Sequence, residues 1–163
     1  MSTNFQTGHA NFEQEENADG DLTDLLSELR VLLPGTQTLT AFLIILPFNG
    51  GFAEIRNDEK WVFGVTFLCS ILALILFTAP AAQHRLQRPL RDREGFKTTA
   101  TRFMIAGLVP FSVALVLAAQ LVLSEIVANR WASWSVAGVL GLIILTTWWI
   151  YPTLGRAKGN STD

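Results

Sequence analysis

The sequence predicts an all-α integral membrane protein, a four-helix bundle preceded by a short amphipathic interfacial helix. Half of the 163 residues are hydrophobic and 16% are charged, which is too apolar for an ordinary soluble domain of this length. Four apolar segments are each close to the roughly 20 residues that a helix needs to cross the hydrocarbon. A stripe of leucines stands just before the first of them.

The N-terminal residues 1–20 are rich in acidic and amide side chains and poor in apolar ones. Such a segment buries too little apolar surface to offset the entropy of ordering, so we predict a disordered acidic tail. It has neither the basic start nor the apolar stretch of a secretory signal.

The next segment, 22–33, is predicted to form the amphipathic helix, with Asp21 as its N-cap and a bend or stop at Pro34-Gly35. It would act as an interfacial anchor or regulatory flap, or it would simply cap the bundle at membrane level. The second interpretation is favoured because the polar face carries Asp24 and Glu28 with only Arg30. Its leucines share one helical face: Leu22, Leu25, Leu26, Leu29, Leu32 and Leu33.

Within a membrane domain of residues 21–155, the predicted spans are about 36–55, 61–79, 103–126 and 131–151. We expect a kink or early unwinding in the first span at Pro47, which Asn49-Gly50-Gly51 follows. Pro110 is expected to bend the third span and Pro152 to end the fourth. Residues 156–163 are predicted to be a short cytoplasmic tail.

The positive charges are distributed unequally between the two sides of the predicted bundle. Of the 12 Lys and Arg residues, nine flank the first span, the connection between spans two and three, and the last span, and only Arg56, Lys60 and Arg130 lie opposite. The positive-inside rule therefore predicts a multi-pass protein of the bacterial inner membrane with both termini in the cytoplasm.

No Asp, Glu, Lys, Arg or His is placed deep in a predicted span. This argues against an ion-coupled pump, since such proteins need ionisable groups there. Gln37 and Gln120, with Asn49 at the break, are the polar side chains nearest the interior. Each glutamine would hydrogen-bond to a neighbouring helix or contact a transported substrate, and the first is the more ordinary role.

Small residues recur at four-residue spacing in spans three and four. Such stripes let helices approach closely, either within the bundle or at an interface with another chain. The residues predicted to form helix contacts are Ser133, Ala137 and Gly141 in the fourth span, and Ala106, Ala114 and Ala118 in the third.

The connection between spans two and three is the most basic region of the chain. Positive-inside topology explains such a cluster, and contact with lipid head groups or with an acidic partner is the alternative. Asp92 and Glu94 dilute the charge, so we do not expect nucleic-acid binding. The candidate contact residues are His84, Arg85, Arg88, Arg91 and Arg93.

No catalytic motif stands out in the sequence. Phosphate-binding glycine loops, nucleophile elbows and His-Glu pairs at metal-ligand spacing are not found, and the only cysteine is Cys69. We therefore expect no catalytic residues, no metal, no cofactor and no enzymatic activity.

The residues Glu28, Arg30, Pro34, Gly35 and Gln37 form what we call the joint, where the leucine helix meets the first span. The motif Glu28-Leu-Arg-x-Leu-Leu-Pro-Gly-x-Gln37, with Pro47-Phe48 and Ala79-Pro80-x-x-x-His84-Arg85, resembles a largely actinobacterial family of small four-span membrane proteins of unknown function. The resemblance covers about residues 22–155. It implies a four-helix architecture and an inner-membrane location, and it implies no activity.

Together these features favour a non-catalytic accessory or assembly subunit of a larger membrane complex. The expected partners are the lipid bilayer and other membrane subunits or further copies of the chain. The alternative is a small homo-oligomeric channel or transporter.

Overall fold

The computed structural model describes residues 3–86, 93–127 and 129–153, and within these ranges the chain is helical and contains no β-strand. Two short 3-10 turns, Leu46–Phe48 and Gly50–Ala53, connect the first two helices. The fourth helix continues into a π-helical turn, Leu145–Ile150. The helices are α1 Thr3–Ile45, α2 Asn57–Leu86, α3 Arg93–Ile126 and α4 Arg130–Ile144.

All four helices are long and apolar enough to cross a membrane. The apolar segments are Thr23–Phe48, Asn57–Leu86, Gly95–Ile126 and Arg130–Thr153. The protein is therefore a small multi-pass membrane protein with an all-α, four-helix bundle. Below, the loop end is the end of the bundle that carries residues 46–56, 127 and 129, and the opposite end carries residues 84–86 and 93–96.

The first helix differs from its prediction, because it begins at Thr3 and continues through Pro34. The sequence predicts a disordered tail over 1–20 and a separate helix that bends or stops at Pro34-Gly35. Each residue added to an existing helix gains a hydrogen bond, so the packed part of α1 supports extension toward its N-terminus. Pro34 has no N–H, so the carbonyl of Arg30 loses its helical hydrogen bond. Arg30 is exposed at the surface of the bundle.

The first apolar segment also lies closer to the N-terminus than the predicted span 36–55. As expected, α1 unwinds before Pro47, and Asn49 is extended with φ −78° and ψ 136°. The helix α2 continues through Pro80, and α3 continues through Pro110. Non-helical backbone is costly in hydrocarbon, which favours continuing the helix past an isolated proline.

The centre of the bundle is the contact between α2 and α3, the most extensive helix pair. Phe77 is fully buried and meets Phe111 edge-to-face, with ring centroids 5.9 Å apart. A Cβ atom added to Gly107 would lie 2.6 Å from Cε1 of Phe77. Glycine at this position thus allows the Phe77 ring to lie directly on the α3 backbone.

Four leucines of the predicted stripe pack on this central pair, namely Leu25, Leu29, Leu32 and Leu33, whereas Leu26 is exposed. Leu25 and Leu29 are buried in one cluster with Phe96 of α3. Further along α1, the hydroxyls of Thr40 and Ser70 of α2 are buried and 2.5 Å apart. Leucine packing at the opposite end and a hydroxyl contact nearer the loop end thus hold α1 in place.

The fourth helix is peripheral, because its backbone approaches only α3 among the described helices. Ser133 and Ala137 are buried at this contact. In the π-helical turn, Trp148 stacks on Phe111 with ring centroids 6.2 Å apart and an interplanar angle of 16°. The bundle is a three-helix core with α4 attached along one side.

We expect Gly107→Ala to destabilise the protein, since the added methyl group must displace the Phe77 ring. Overpacking of this kind typically costs about 1–3 kcal/mol. The measurement is denaturant unfolding of the detergent-solubilised protein. Gly138→Ala is the matched control, because nothing lies within 4 Å of a Cβ added there. Equal stability of the two variants would show that the Phe77–Gly107 contact does not limit packing.

Candidate functional site

Two adjoining cavities at the loop end form the candidate site. The first, which we call the apolar cavity, has a volume of about 230 Å³. The end of α1, the 3-10 turn around Phe52, the start of α2 and the end of α3 form its walls. It exists because α1 unwinds at Leu46 while α2 and α3 continue, which leaves a space that the turn only partly fills.

Aromatic side chains support one wall of the apolar cavity. Phe52 meets Phe63 edge-to-face with centroids 5.0 Å apart, and Phe63 stacks on Phe67 at 6.3 Å. Phe42 and Val122 line the cavity and are 67% and 60% exposed. The apolar cavity therefore reaches the outer surface of the bundle, where lipid chains surround a membrane protein.

The second cavity, the polar pocket, has a volume of about 90 Å³ and lies between the start of α2, the end of α3 and the start of α4. Asp58 links two of its elements. Its Oδ1 lies 3.3 Å from Nε of Arg56, and its Oδ2 accepts a hydrogen bond from Nη2 of Arg130 at 2.5 Å. Asn129 caps α4 by accepting a hydrogen bond from the Trp131 N–H at 3.0 Å, which fixes where Arg130 begins the helix.

Gln120 is the buried polar residue of the polar pocket. Its side chain is 3% exposed, and its Oε1 has no hydrogen-bond partner. Its backbone carbonyl accepts a hydrogen bond from Oγ of Ser133 at 3.2 Å, which ties α4 to α3 beside the pocket. An acceptor buried without a partner is unusual in a folded protein, because it loses its hydration without replacement.

Two residues belong to both cavities. Glu59 and Ser124 line the apolar cavity on one side and the polar pocket on the other. Glu125 adds a second carboxylate to the apolar cavity. The two cavities together thus present an apolar chamber, a boundary with carboxylates and a pocket of mixed charge.

The predicted joint is located away from this site. Glu28, Arg30, Pro34, Gly35 and Gln37 are exposed along α1. Gln37 therefore does not face the interior of the bundle, whereas Gln120 does. Asn49 is also exposed.

The described residues of the predicted basic cluster lie at the opposite end. His84 is half-buried with its ring centroid 5.7 Å from that of Phe96, and Arg85 is exposed. Arg93 begins α3. Arg88 and Arg91, like the C-terminal segment 156–163, lie outside the described residues.

Some residues of the predicted small-residue stripes lie in helix contacts, and others are exposed. In α4, Ser133 and Ala137 are buried against α3, and a Cβ on Gly141 would lie 3.7 Å from Cγ2 of Val116. The α4 stripe thus serves contact within the chain. In α3, Ala114 is buried, Ala118 is half-buried in the wall of the apolar cavity, and Ala106 is exposed.

The sequence analysis does not identify Asp58 and Glu59 as site residues, nor Arg56 and Arg130. Arg56, Asp58 and Glu59 are close together in the sequence, but Arg130 is 72 residues from Asp58, and only the packing of α2, α3 and α4 brings it to them. The one available signal was Gln120, a polar side chain inside an apolar segment. Among the described residues, no three His, Cys, Asp or Glu side chains form a group able to hold a metal ion.

The chain belongs to a family of unknown function (DUF6328), whose sequence profile matches residues 12–152. No curated protein and no solved structure matches it. The function of this family is unknown, so a function for the chain rests on the cavities and surfaces described above.

We expect Ala137→Leu to weaken the attachment of α4, because the larger side chain must enter a contact where Ala137 is 1% exposed. The expected loss in unfolding free energy is about 1–3 kcal/mol. Denaturant unfolding in detergent measures it. Ala106→Leu introduces the same change at an exposed position of α3 and should be neutral. A comparable loss in both variants would mean that the α3–α4 contact is not tightly packed.

Proposed function

We propose that this member of the family is a non-catalytic accessory or assembly subunit of a larger bacterial membrane complex. The observation that carries the proposal is the peripheral position of α4. In the most apolar window of α4, 11% of the residues are buried, compared with 28% in α2 and in α3. A helix held along one narrow stripe leaves most of its surface for lipid or for another membrane protein.

The exposed side of α4 is broad and apolar. Val139 is 55% exposed, Leu142 60% and Ile143 52%. The hydroxyls of Thr146 and Thr147 donate to carbonyls of their own helix and need no partner. This surface is suited to van der Waals packing with another transmembrane helix, which drives association when lipid offers no hydrophobic advantage.

A homo-oligomeric channel or transporter is the alternative. The interior between α2 and α3 is filled by buried side chains, including Phe77, Met104 and Phe111. A conducting path would therefore have to run between copies rather than through one chain. The alternative thus requires self-association, whereas the subunit proposal requires a foreign partner.

Site-specific photo-crosslinking in intact membranes separates these proposals. A photoreactive residue at Leu142 should crosslink to a distinct membrane protein. The matched control is Leu68 on α2, which is 67% exposed and apolar, and it should yield mainly lipid adducts. Crosslinks from Leu142 only to a second copy of the chain would favour the homo-oligomer. Crosslinks to lipid alone from both positions would contradict both proposals.

We further propose that the loop end faces away from the cytoplasm, since the bias of Lys and Arg supports cytoplasmic termini. In a Cys69→Ser background, Asn57→Cys should react with a membrane-impermeant thiol reagent added to spheroplasts with an intact inner membrane. Gln83→Cys, at the opposite end of α2, should react only after the membrane is permeabilised. The reverse pattern would invert the topology.

A further inference from the structure

The buried side-chain oxygen of Gln120 indicates that the polar pocket lacks a hydrogen-bond donor. Oε1 has no partner within the described protein, and its residue is one of the least exposed polar residues of the bundle. Gln120 lines the polar pocket, so a small rotation of its side chain would let an N–H or O–H donor bound there satisfy Oε1. Water in the polar pocket can donate in this way, but it would leave the adjoining apolar cavity unfilled.

The adjoining apolar cavity indicates that the molecule which donates to Gln120 also carries an apolar chain. Leu43, Phe63 and Leu121 are among the residues that line it, and its wall reaches the outer surface of the bundle at Phe42 and Val122. A hydrocarbon chain can enter there from the bilayer. The attached head group would then lie at the boundary formed by Glu59 and Ser124.

The charges around the boundary select the head group. Glu59 and the Gln120 Oε1 are acceptors that suit an ammonium group with N–H donors. Arg56 and Arg130 share the single carboxylate of Asp58, and each guanidinium has further donors for an anionic group. The polar pocket thus complements a head group that carries one positive and one negative charge.

We propose that the joined cavities bind a phospholipid with a primary ammonium head group. One chain occupies the apolar cavity, the ammonium donates to Glu59 and Gln120, and the phosphate lies near Arg56 and Arg130. This inference is independent of the proposed subunit role, because it concerns the loop end rather than the exposed side of α4.

The test is a lipid titration of the full-length protein in detergent, followed by native mass spectrometry. The probes are lysophosphatidylethanolamine and lysophosphatidylcholine of the same chain length. Both are zwitterionic, but the choline head group has no N–H donor. We expect the ethanolamine lipid to bind at least about tenfold more tightly, as loss of a charge-assisted hydrogen bond implies. Equal affinities would overturn the proposal and leave water as the occupant of the polar pocket.

Amino-acid substitutions test whether the preference for the ethanolamine lipid arises in the polar pocket. Gln120→Leu should abolish the preference for the ethanolamine lipid, whereas Gln120→Glu should retain it because a carboxylate keeps the acceptor. Gln37→Leu is the matched control, since Gln37 is exposed on α1, and it should bind as the wild type does. If Gln120→Leu does not fold, Glu59→Leu provides the same test, because it removes the other acceptor. A preference that survives removal of either acceptor would overturn the assignment.

The role of the chain is tested separately. Phosphoethanolamine without a chain should compete only at far higher concentration, and Ala118→Leu, which fills part of the apolar cavity, should weaken both lipids. Competition by phosphoethanolamine as strong as that of the lysolipid would show that the apolar cavity takes no part. In that case the site would be one for a soluble amine.

Discussion

The close contact of Phe77 with Gly107 is the interaction on which the rest of the bundle depends. It brings α2 and α3 together along their length and creates the surface on which α1 packs through Leu25 and Leu29. On the other side, Phe111 contacts both Phe77 and Trp148, so one aromatic series extends from α2 to the end of α4. In hydrocarbon, where helices gain little from burying apolar side chains, such close approach is a main source of association.

The hydrocarbon surroundings also explain how the polar side chains of the bundle are hydrogen-bonded. Hydroxyl side chains at many helical positions donate to a carbonyl one turn earlier, as Thr36 does to Leu32 and Ser112 to Leu108. These groups are satisfied within their own helix and do not require water. The hydroxyls of Thr40 and Ser70 contact each other across helices, and the Ser133 hydroxyl donates to the Gln120 carbonyl. Against this background the unpartnered Oε1 of Gln120 is exceptional, and it lies where the helices separate.

Much of the fold could be predicted from hydropathy, because a membrane requires long apolar helices and the sequence has four of them. The break at Pro47 was predictable as well, since Asn49-Gly50-Gly51 follows it. The continuity of α1 through Pro34 could not be predicted. A proline is known to cost a helix one hydrogen bond, but the sequence does not show how strongly packing stabilises the helix on either side of it. The candidate site was largely hidden: Gln120 was visible as a polar residue in an apolar segment, but its neighbours Asp58 and Arg130 meet only in three dimensions. Conversely, the conspicuous joint at Pro34-Gly35 is exposed helix surface.

The π-helical turn at Leu145–Ile150 has a consequence for how α4 tolerates change in length. A π-helical turn accommodates one residue more than an α-helical turn, so it acts as a single-residue insertion absorbed within the helix. Every side chain beyond it is rotated by about 100° relative to an uninterrupted α-helix. Trp148 lies within this turn and stacks on Phe111. The direction in which Trp148 points therefore depends on how many residues the turn contains before it. Deletion of one of those residues would rotate the Trp148 side chain away from Phe111.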